Sequence, residues 1–180
     1  MKKIVLIFLM SVLLFGCSNG NNVQTDPQQT DQTNEDPTKS EELIYKNTEY
    51  GFDFTLPDSW KGYTIITDEW EGFSLQESEE QKVTETGPLI SIRHPEWSSE
   101  NPRQDIPIMV FTLSQWDNLQ KDEFHIGAAP INPSEIARNT KYVFALPARY
   151  NFAFPAGYEE VEDIMNSKPL NPIEDFSSAQ

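Results

Sequence analysis

Cysteine, histidine and glycine are all scarce in this chain, and each shortage argues against a kind of chemistry. A single cysteine allows no disulfide within the chain, so folding must depend on an apolar core. The eight glycines form neither a P-loop nor a dinucleotide-binding pattern. His94 and His125 have no H-x-x-x-H or H-x-H companion, and the sequence therefore predicts no metal site for them.

The familiar sequence patterns of hydrolases are missing as well. There is no G-x-S-x-G nucleophile elbow, although a Ser-His-Asp triad remains open because its members meet only in space. Two carboxylates among the 29 acidic residues could also serve a hydrolase that acts on envelope polymers outside the cytoplasm. Our leading expectation is a protein that is not an enzyme and needs no cofactor.

Basic residues are few, and the formal net charge is −16. This charge argues against nucleic acid as a partner, because phosphate backbones are bound by lysine and arginine. Several carboxylates cluster locally, and they suggest either a calcium-binding sensor or, as we expect, a solvated charged face. The cluster comprises Asp68, Glu69, Glu71, Glu77, Glu79, Glu80 and Glu85, with no D-x-D-x-D-G loop.

Long hydrophobic runs are absent, and the main apolar run is Ile4 to Phe15. As a helix it would extend about 18 Å, whereas a bilayer core needs about 20 apolar residues. The run follows Lys2 and Lys3, as the apolar region of a signal peptide follows its basic start. We therefore interpret residues 1–16 as a leader that is removed.

The segment Leu14-Phe15-Gly16-Cys17 resembles the lipobox of bacterial lipoproteins, although Phe15 is larger than usual at its position. The resemblance implies diacylglyceryl transfer to the Cys17 sulfur and cleavage between Gly16 and Cys17. Two acyl chains anchor a protein stably, so the remaining chain would not need to touch the membrane. An ordinary secretory leader with an incidental cysteine is the alternative. The expected location is the cell membrane, lipid-anchored and facing outside the cytoplasm.

Residues 18–42 are almost entirely polar, and Val23 is their only aliphatic residue. Such a composition buries too little apolar area to offset the entropy of ordering, so we predict a disordered tether. Its average span would be about 25–30 Å. Loss of the leader with Lys2 and Lys3 would take the formal charge to −18, which favours repulsion from anionic lipid.

From Leu43 onward, aromatic and β-branched residues become frequent, and residues 43–180 are predicted to form one α+β domain. Alternation or apolar runs predict strands over 47–57, 63–67, 72–75, 89–93, 106–113 and 142–146, with polar loops at 76–87 and 95–105. Capping patterns predict two short helices, one capped by Ser114 and one capped by Asn132. An apolar stripe predicts a third helix over 158–165. The residues from Asn171 onward are expected to be loosely held.

Two strands, residues 106–113 and 142–146, are apolar without alternation. Continuous apolar strands are covered on both faces. We therefore expect these two strands to lie at the centre of a sheet, between two layers.

The segment from Tyr50 to Trp60 resembles the opening of PsbP-like domains, including those of small lipoproteins of Gram-positive bacteria. Its sequence is Tyr50-Gly51-Phe52-Asp53-Phe54-Thr55-Leu56-Pro57-Asp58-Ser59-Trp60. The resemblance implies an antiparallel sheet flanked by short helices on both faces, an α/β/α sandwich. It also implies assembly or binding roles rather than a shared reaction, and it carries over no metal ligands.

A candidate binding face is formed by Arg149, Tyr150, Phe152 and Phe154. Such aromatic residues could stack on a sugar or hold a peptide. The alternative is an edge strand in which Phe152 and Phe154 point into the core. From these features we expect a cell-surface lipoprotein with a binding or scaffolding domain, whose partners are the membrane, through its anchor, and an envelope protein or glycan.

Replacing the lipobox cysteine tests the anchor. The Cys17→Ala variant should be released from the membrane fraction or remain unprocessed, because it lacks the sulfur that would carry the lipid. Ser18→Ala serves as the control and should fractionate like the wild type. Fractionation of cells, with mass spectrometry of the purified chain, checks both variants. Cys17→Ala protein that lacks the leader and is still retained in the membrane like the wild type would refute lipidation.

Overall fold

Nine strands and two α-helices form an α+β structure in the computed structural model, which describes residues 42–75, 82–127 and 131–176. The strands are β1 (Leu43–Asn47), β2 (Phe52–Leu56), β3 (Thr64–Ser74), β4 (Val83–Arg93), β5 (Ile106–Thr112), β6 (Phe124–Ile126), β7 (Ser134–Arg138), β8 (Tyr142–Leu146) and β9 (Leu170–Pro172). The helices are α1 (Leu113–Gln120) and α2 (Tyr158–Asn166). The predicted leader, Cys17 and residues 18–41 of the tether lie outside the described residues.

The strands form two antiparallel sheets. The large sheet has the order β6-β3-β4-β5-β8-β7, and the small sheet has the order β1-β2-β9. β5 and β8 are neighbours, with Met109 opposite Ala145. The prediction that these two apolar strands are central and buried is confirmed, since both have other strands on their outer sides.

One face of the large sheet packs against the small sheet and α2. Ile108, Val110 and Phe144 of the large sheet share a buried cluster with Phe52 and Phe54 of β2, and with Val161 and Ile164 of α2. The rings of Phe52 and Phe144 are 4.9 Å apart between centroids. The alternation predicted for β2 is thus confirmed, because its phenylalanines point into this core.

The opposite face of the large sheet packs against α1. Met109, Phe111, Val143 and Ala145 belong to a second buried cluster that also contains Trp116 and Leu119 of α1. Successive side chains of β5 therefore point alternately into the two buried clusters, because side chains alternate between the two faces of a strand.

A glycine and a tryptophan define the turns on either side of β2. Gly51 has φ of +74°, and a Cβ atom at this position would lie 2.1 Å from the Phe176 ring. Trp60 ends a short 3-10 turn, and only 1% of it is exposed. A glycine thus permits entry into β2, and a tryptophan returns onto the core after it.

The helix predicted after Asn132 is wrong. Residues Ser134–Arg138 instead form β7, which pairs with β8 and has a register shift between Glu135 and Ala137. Ile136 and Ala137 pack against the core from this strand. The local capping pattern is overridden because β8 needs a neighbouring strand to satisfy its backbone.

The polar loop predicted at 76–87 is wrong in part, since β4 already begins at Val83. Its residues 76–81 lie outside the described ranges. The two strands predicted over 63–67 and 72–75 are one long strand, β3, which pairs with β4 from Thr64 to Phe73. Cross-strand pairing with β4 supports this extension, although many side chains of the segment are polar and exposed.

The ends of two other elements also differ from the prediction. The N-cap of α1 is Thr112 rather than Ser114, and Thr112 and Gln115 form a reciprocal capping box. The segment from Asn171 to Phe176 is not loosely held. β9 pairs with β2, the Ile173 N–H donates to the Gly51 carbonyl at 2.9 Å, and Glu174 accepts a hydrogen bond from the Thr140 N–H.

Trp70 provides a test of how tightly the second core is packed. Its ring stacks on Phe111 at 4.4 Å, and its Nε1 donates to the Val110 carbonyl at 2.9 Å. A Cβ atom at Gly87 would lie 2.6 Å from this ring. Gly87→Ala should therefore lower the free energy of unfolding by about 1–3 kcal/mol.

The matched control is Thr86→Ala at the preceding, exposed position. It should change stability by less than about 1 kcal/mol. Denaturant unfolding monitored by circular dichroism checks both variants. A Gly87→Ala protein that is more stable than wild type, as relief of glycine's backbone entropy alone would give, would contradict the packing around Trp70.

Candidate functional site

The predicted binding face lies in the connection between β8 and α2. We call residues 149–154 the aromatic loop. Phe152 is 75% exposed and Phe154 is 69% exposed, so the edge-strand interpretation, with both rings in the core, is wrong. The backbone instead forms successive turns, in which the Phe152 N–H donates to the Arg149 carbonyl and the Phe154 N–H to the Asn151 carbonyl.

Three residues of the aromatic loop adopt left-handed backbone conformations that favour glycine. Arg149, Ala153 and Phe154 have φ values of +55°, +71° and +49°. Each such residue costs roughly 1–3 kcal/mol and persists only where surrounding contacts hold it. The loop therefore holds its two exposed rings at the expense of local backbone strain.

Other residues of the aromatic loop attach it to α2. Tyr150 lines a cavity of about 310 Å³, with Leu146 on β8 and Met165 on α2. Burial, reinforced by the nearby Glu162 carboxylate, raises the pKa of Tyr150. The Asn151 amide donates to that same carboxylate. The Phe154 ring meets Tyr158 edge-on at 5.0 Å. The residues of the predicted binding face are thus divided, since Tyr150 lines the cavity whereas Phe152 and Phe154 are exposed.

A polar cluster centred on Arg103 holds the start of α2. We call Glu96, Arg103, Glu160 and Ser59 the Arg103 cluster. The guanidinium of Arg103 donates to Glu96 at 3.0 Å and to Glu160 at 3.2 Å. Ser59 donates to the same Glu160 carboxylate at 2.8 Å, and the Trp60 indole donates to it at 3.3 Å. One carboxylate therefore joins the turn after β2, the segment before β5 and the first turn of α2.

The backbone reinforces this junction. The Gln104 N–H donates to the Ala156 carbonyl at 2.8 Å, and Arg103 forms a parallel bridge with Ala156. Gly157 caps α2 with φ of +80°, and a Cβ atom at this position would lie 3.2 Å from the Arg103 guanidinium. The far end of the aromatic loop is thus fixed directly beside the cluster.

His94 lies at the end of β4, and only 4% of it is exposed. Its Nδ1 accepts a hydrogen bond from the Glu96 N–H at 3.1 Å, so the neutral ring carries its proton on Nε2. The ring meets Trp60 edge-on at 5.0 Å. Burial, together with the positive charge of Arg103, lowers the pKa of His94, and the carboxylates of Glu160 and Glu96 oppose this shift only partly.

Buried polar atoms without hydrogen-bond partners concentrate in this region. Across the ranges that the structure describes there are four such side-chain atoms, and three belong to the segment from His94 to Gln104. These three are His94 Nε2, Arg103 Nε and Gln104 Oε1. His94 therefore has a hydrogen-bond partner at Nδ1 but none at Nε2 among the described residues. His125 on β6 is half-buried, and its Nδ1 lies 2.7 Å from the Gly127 carbonyl.

The acidic residues form no compact ligand set in the described part of the chain, where no three His, Cys, Asp or Glu side chains come together as metal ligands would. Asp68, Glu69 and Glu71 are exposed along β3. Glu77, Glu79 and Glu80 lie outside the described residues. Neither helix is long and apolar enough to cross a bilayer, within the same ranges.

Comparison with known proteins adds no relative. No family model, curated protein or solved structure matches this chain.

Sequence reasoning found the aromatic loop but missed the Arg103 cluster. Ser59 and Glu160 are separated by 101 residues, and Arg103 and Glu160 by 57. No motif links these positions, and each residue alone has an ordinary surface character. They come together only when α2 packs, through Val161 and Ile164, into the core that the two sheets share.

The buried His94 predicts a pH dependence of stability. Its pKa in the folded protein lies below the ordinary value of 6.5, so the unfolded chain binds more protons when the pH falls below about 6.5. The free energy of unfolding should therefore decrease from pH 7.5 to pH 5.5, by at most about 1.4 kcal/mol from this group. Urea unfolding at the two pH values measures the change.

Two variants isolate the contribution of His94. His94→Gln should lose this part of the pH dependence, because the unfolded chain no longer gains a proton at this position. His125→Gln, at the half-buried histidine of β6, should keep it. Equal pH dependence in the wild type and His94→Gln would show that His94 is not held in its neutral form by the fold.

Proposed function

We propose that this chain is a lipid-anchored protein of the cell surface whose α+β domain binds or scaffolds another envelope component without catalysing a reaction. The observation that carries the proposal is the exposure of Phe152 and Phe154 on a strained loop. Large apolar side chains that a fold keeps in water at a cost in backbone strain are typical of a binding surface.

The surroundings of the two rings favour a protein or glycan partner. Arg149 is exposed at the start of the aromatic loop, and α2, which follows the loop in the chain, begins with the acidic residues Glu159 and Glu160. Aromatic rings with an adjacent guanidinium can stack on a sugar or clasp a peptide, while the guanidinium donates hydrogen bonds to acceptor groups. The loop is thus suited to a ligand with an apolar face and oxygen acceptors.

A PsbP-like arrangement is part of the same proposal. Its support is the Tyr50–Trp60 segment and the position of the large sheet, which contacts α2 on one face and α1 on the other. The Arg103 cluster has a structural role in this proposal, since the Glu160 carboxylate accepts hydrogen bonds from Ser59, Trp60 and Arg103 and so fixes the start of α2.

Photo-crosslinking in living cells tests the binding face. With a benzoylphenylalanine in place of Phe152, irradiation should give discrete adducts with an envelope component. The matched control carries the same residue in place of Leu75, which is 53% exposed beyond the end of β3. Phe154→Ser in the first protein should reduce the adducts about tenfold, because the contact loses its second ring. Full adduct yield after Phe154→Ser, or the same adducts from both positions, would count against the proposal.

A further inference from the structure

An open groove of about 610 Å³ lies between the end of β2 and α2. Its apolar side includes Leu56 and Ile164, and its polar side includes Ser59, Glu160, Asp163 and Ser167. These residues differ from those around the Tyr150 cavity, which α2 lines with Glu162, Met165 and Asn166. The helix therefore presents two separate surfaces, and the groove is distinct from the aromatic loop.

The two carboxylates of the groove are not equivalent. Glu160 accepts hydrogen bonds from Ser59, Trp60 and Arg103, and the charge of Arg103 compensates its own. Asp163 is exposed and makes no side-chain hydrogen bond or ion pair with the residues that the structure describes. The groove therefore presents one carboxylate whose charge is not balanced by a neighbouring cation.

Both serine hydroxyls of the groove already use their protons. The Ser59 hydroxyl donates to Glu160 at 2.8 Å, and the Ser167 hydroxyl donates to the Ile164 carbonyl at 2.7 Å. Their oxygen lone pairs remain as acceptors. With the Asp163 carboxylate, these three side chains offer acceptors to a ligand, whereas the Thr55 hydroxyl, which also lines the groove, can donate as well as accept.

The carboxylate and hydroxyl oxygens of the groove, beside Leu56 and Ile164, favour a ligand that combines an apolar part with hydrogen-bond donors. An anion would be repelled by the uncompensated charge of Asp163, and a neutral sugar would gain no ion pair from that charge. A lysine side chain has an apolar stem, and its ammonium carries three donors and no acceptor. The volume of the groove lies in the range of small-ligand sites.

We propose that this groove binds a lysine side chain of a partner peptide, with the stem against Leu56 and Ile164 and the ammonium on Asp163. The unpaired Asp163 carboxylate beside the apolar lining carries this assignment, and the acceptor oxygens of Ser59 and Ser167 support it. The strongly acidic chain adds long-range attraction for a basic partner. The groove could serve this role whether or not the aromatic loop binds an envelope component.

The test uses the purified full chain in a non-ionic detergent and the blocked tripeptide acetyl-Ala-Lys-Ala-amide. Binding is followed by NMR titration of the isotopically labelled protein. The amide signals of Asp163 and Ser167 should shift with the lysine peptide. They should not shift when the lysine of the probe is acetylated, because the acetylated side chain has lost its charge and two of its donors.

Asp163→Asn removes the unpaired charge with little change of shape and should weaken binding at least tenfold. Glu159→Gln removes one charge from an exposed position of the same helix that does not line the groove, and it should change the affinity less than twofold. Equal losses in the two variants would show general attraction to an acidic protein and would overturn the proposal.

Ser167→Ala provides a second test that leaves the charges unchanged. It removes one acceptor from the groove and should weaken binding about threefold. Its effect can be compared with the wild type even if Asp163→Asn fails to fold. Unchanged affinity in Ser167→Ala, or binding of the acetylated probe as tight as that of the lysine probe, would also overturn the proposal.

Discussion

The structure depends on the burial of β5 and β8 on both faces. Their side chains are apolar without interruption, from Ile108 to Phe111 and from Val143 to Leu146. A sheet with such a centre is stable only when both of its faces are covered. The small sheet with α2 covers one face, and α1 covers the other.

The same packing creates the region around the Arg103 cluster. Because α2 must lie against the large sheet through Val161 and Ile164, its first turn comes to rest beside the turn that contains Ser59 and Trp60. The Glu160 carboxylate then accepts hydrogen bonds from Ser59 and Trp60 after β2 and from Arg103 before β5. Hydrogen bonds to a charged carboxylate are stronger than those between neutral groups. They fix the start of α2 and with it the end of the aromatic loop.

Sequence patterns predicted the parts of this fold that depend on local periodicity. The alternation of Phe52, Phe54 and Leu56 identified β2, although the strand predicted over 47–57 also took in the turn at 48–51 and the last residue of β1. The continuous apolar runs identified the central strands. The pattern around Asn132 failed because a strand beside β8 satisfies more backbone groups than a short helix would. The extension of β4 to Val83 was missed because its residues pair with β3 while remaining largely exposed.

The candidate sites, too, were predicted only in part from the sequence. The aromatic loop was noticed from its composition, but its alternation favoured burial of Phe152 and Phe154, which the structure contradicts. Their exposure follows from left-handed turns at Arg149, Ala153 and Phe154, and these residue types seldom adopt such turns. The groove beside Asp163 was not predicted. Its walls come from β2 and α2, which meet only in the folded chain.

The pairing of β2 with β9 has a consequence for the order of folding. Phe52 lies opposite Pro172, so the small sheet joins segments more than a hundred residues apart. Closing so long a loop costs entropy before any contact is gained, and structures rich in such contacts fold slowly. During synthesis, the small sheet of β2 is complete only after the more than one hundred residues between β2 and β9 have been made. Until then, the phenylalanine rings of β2 remain exposed to association with other unfinished chains.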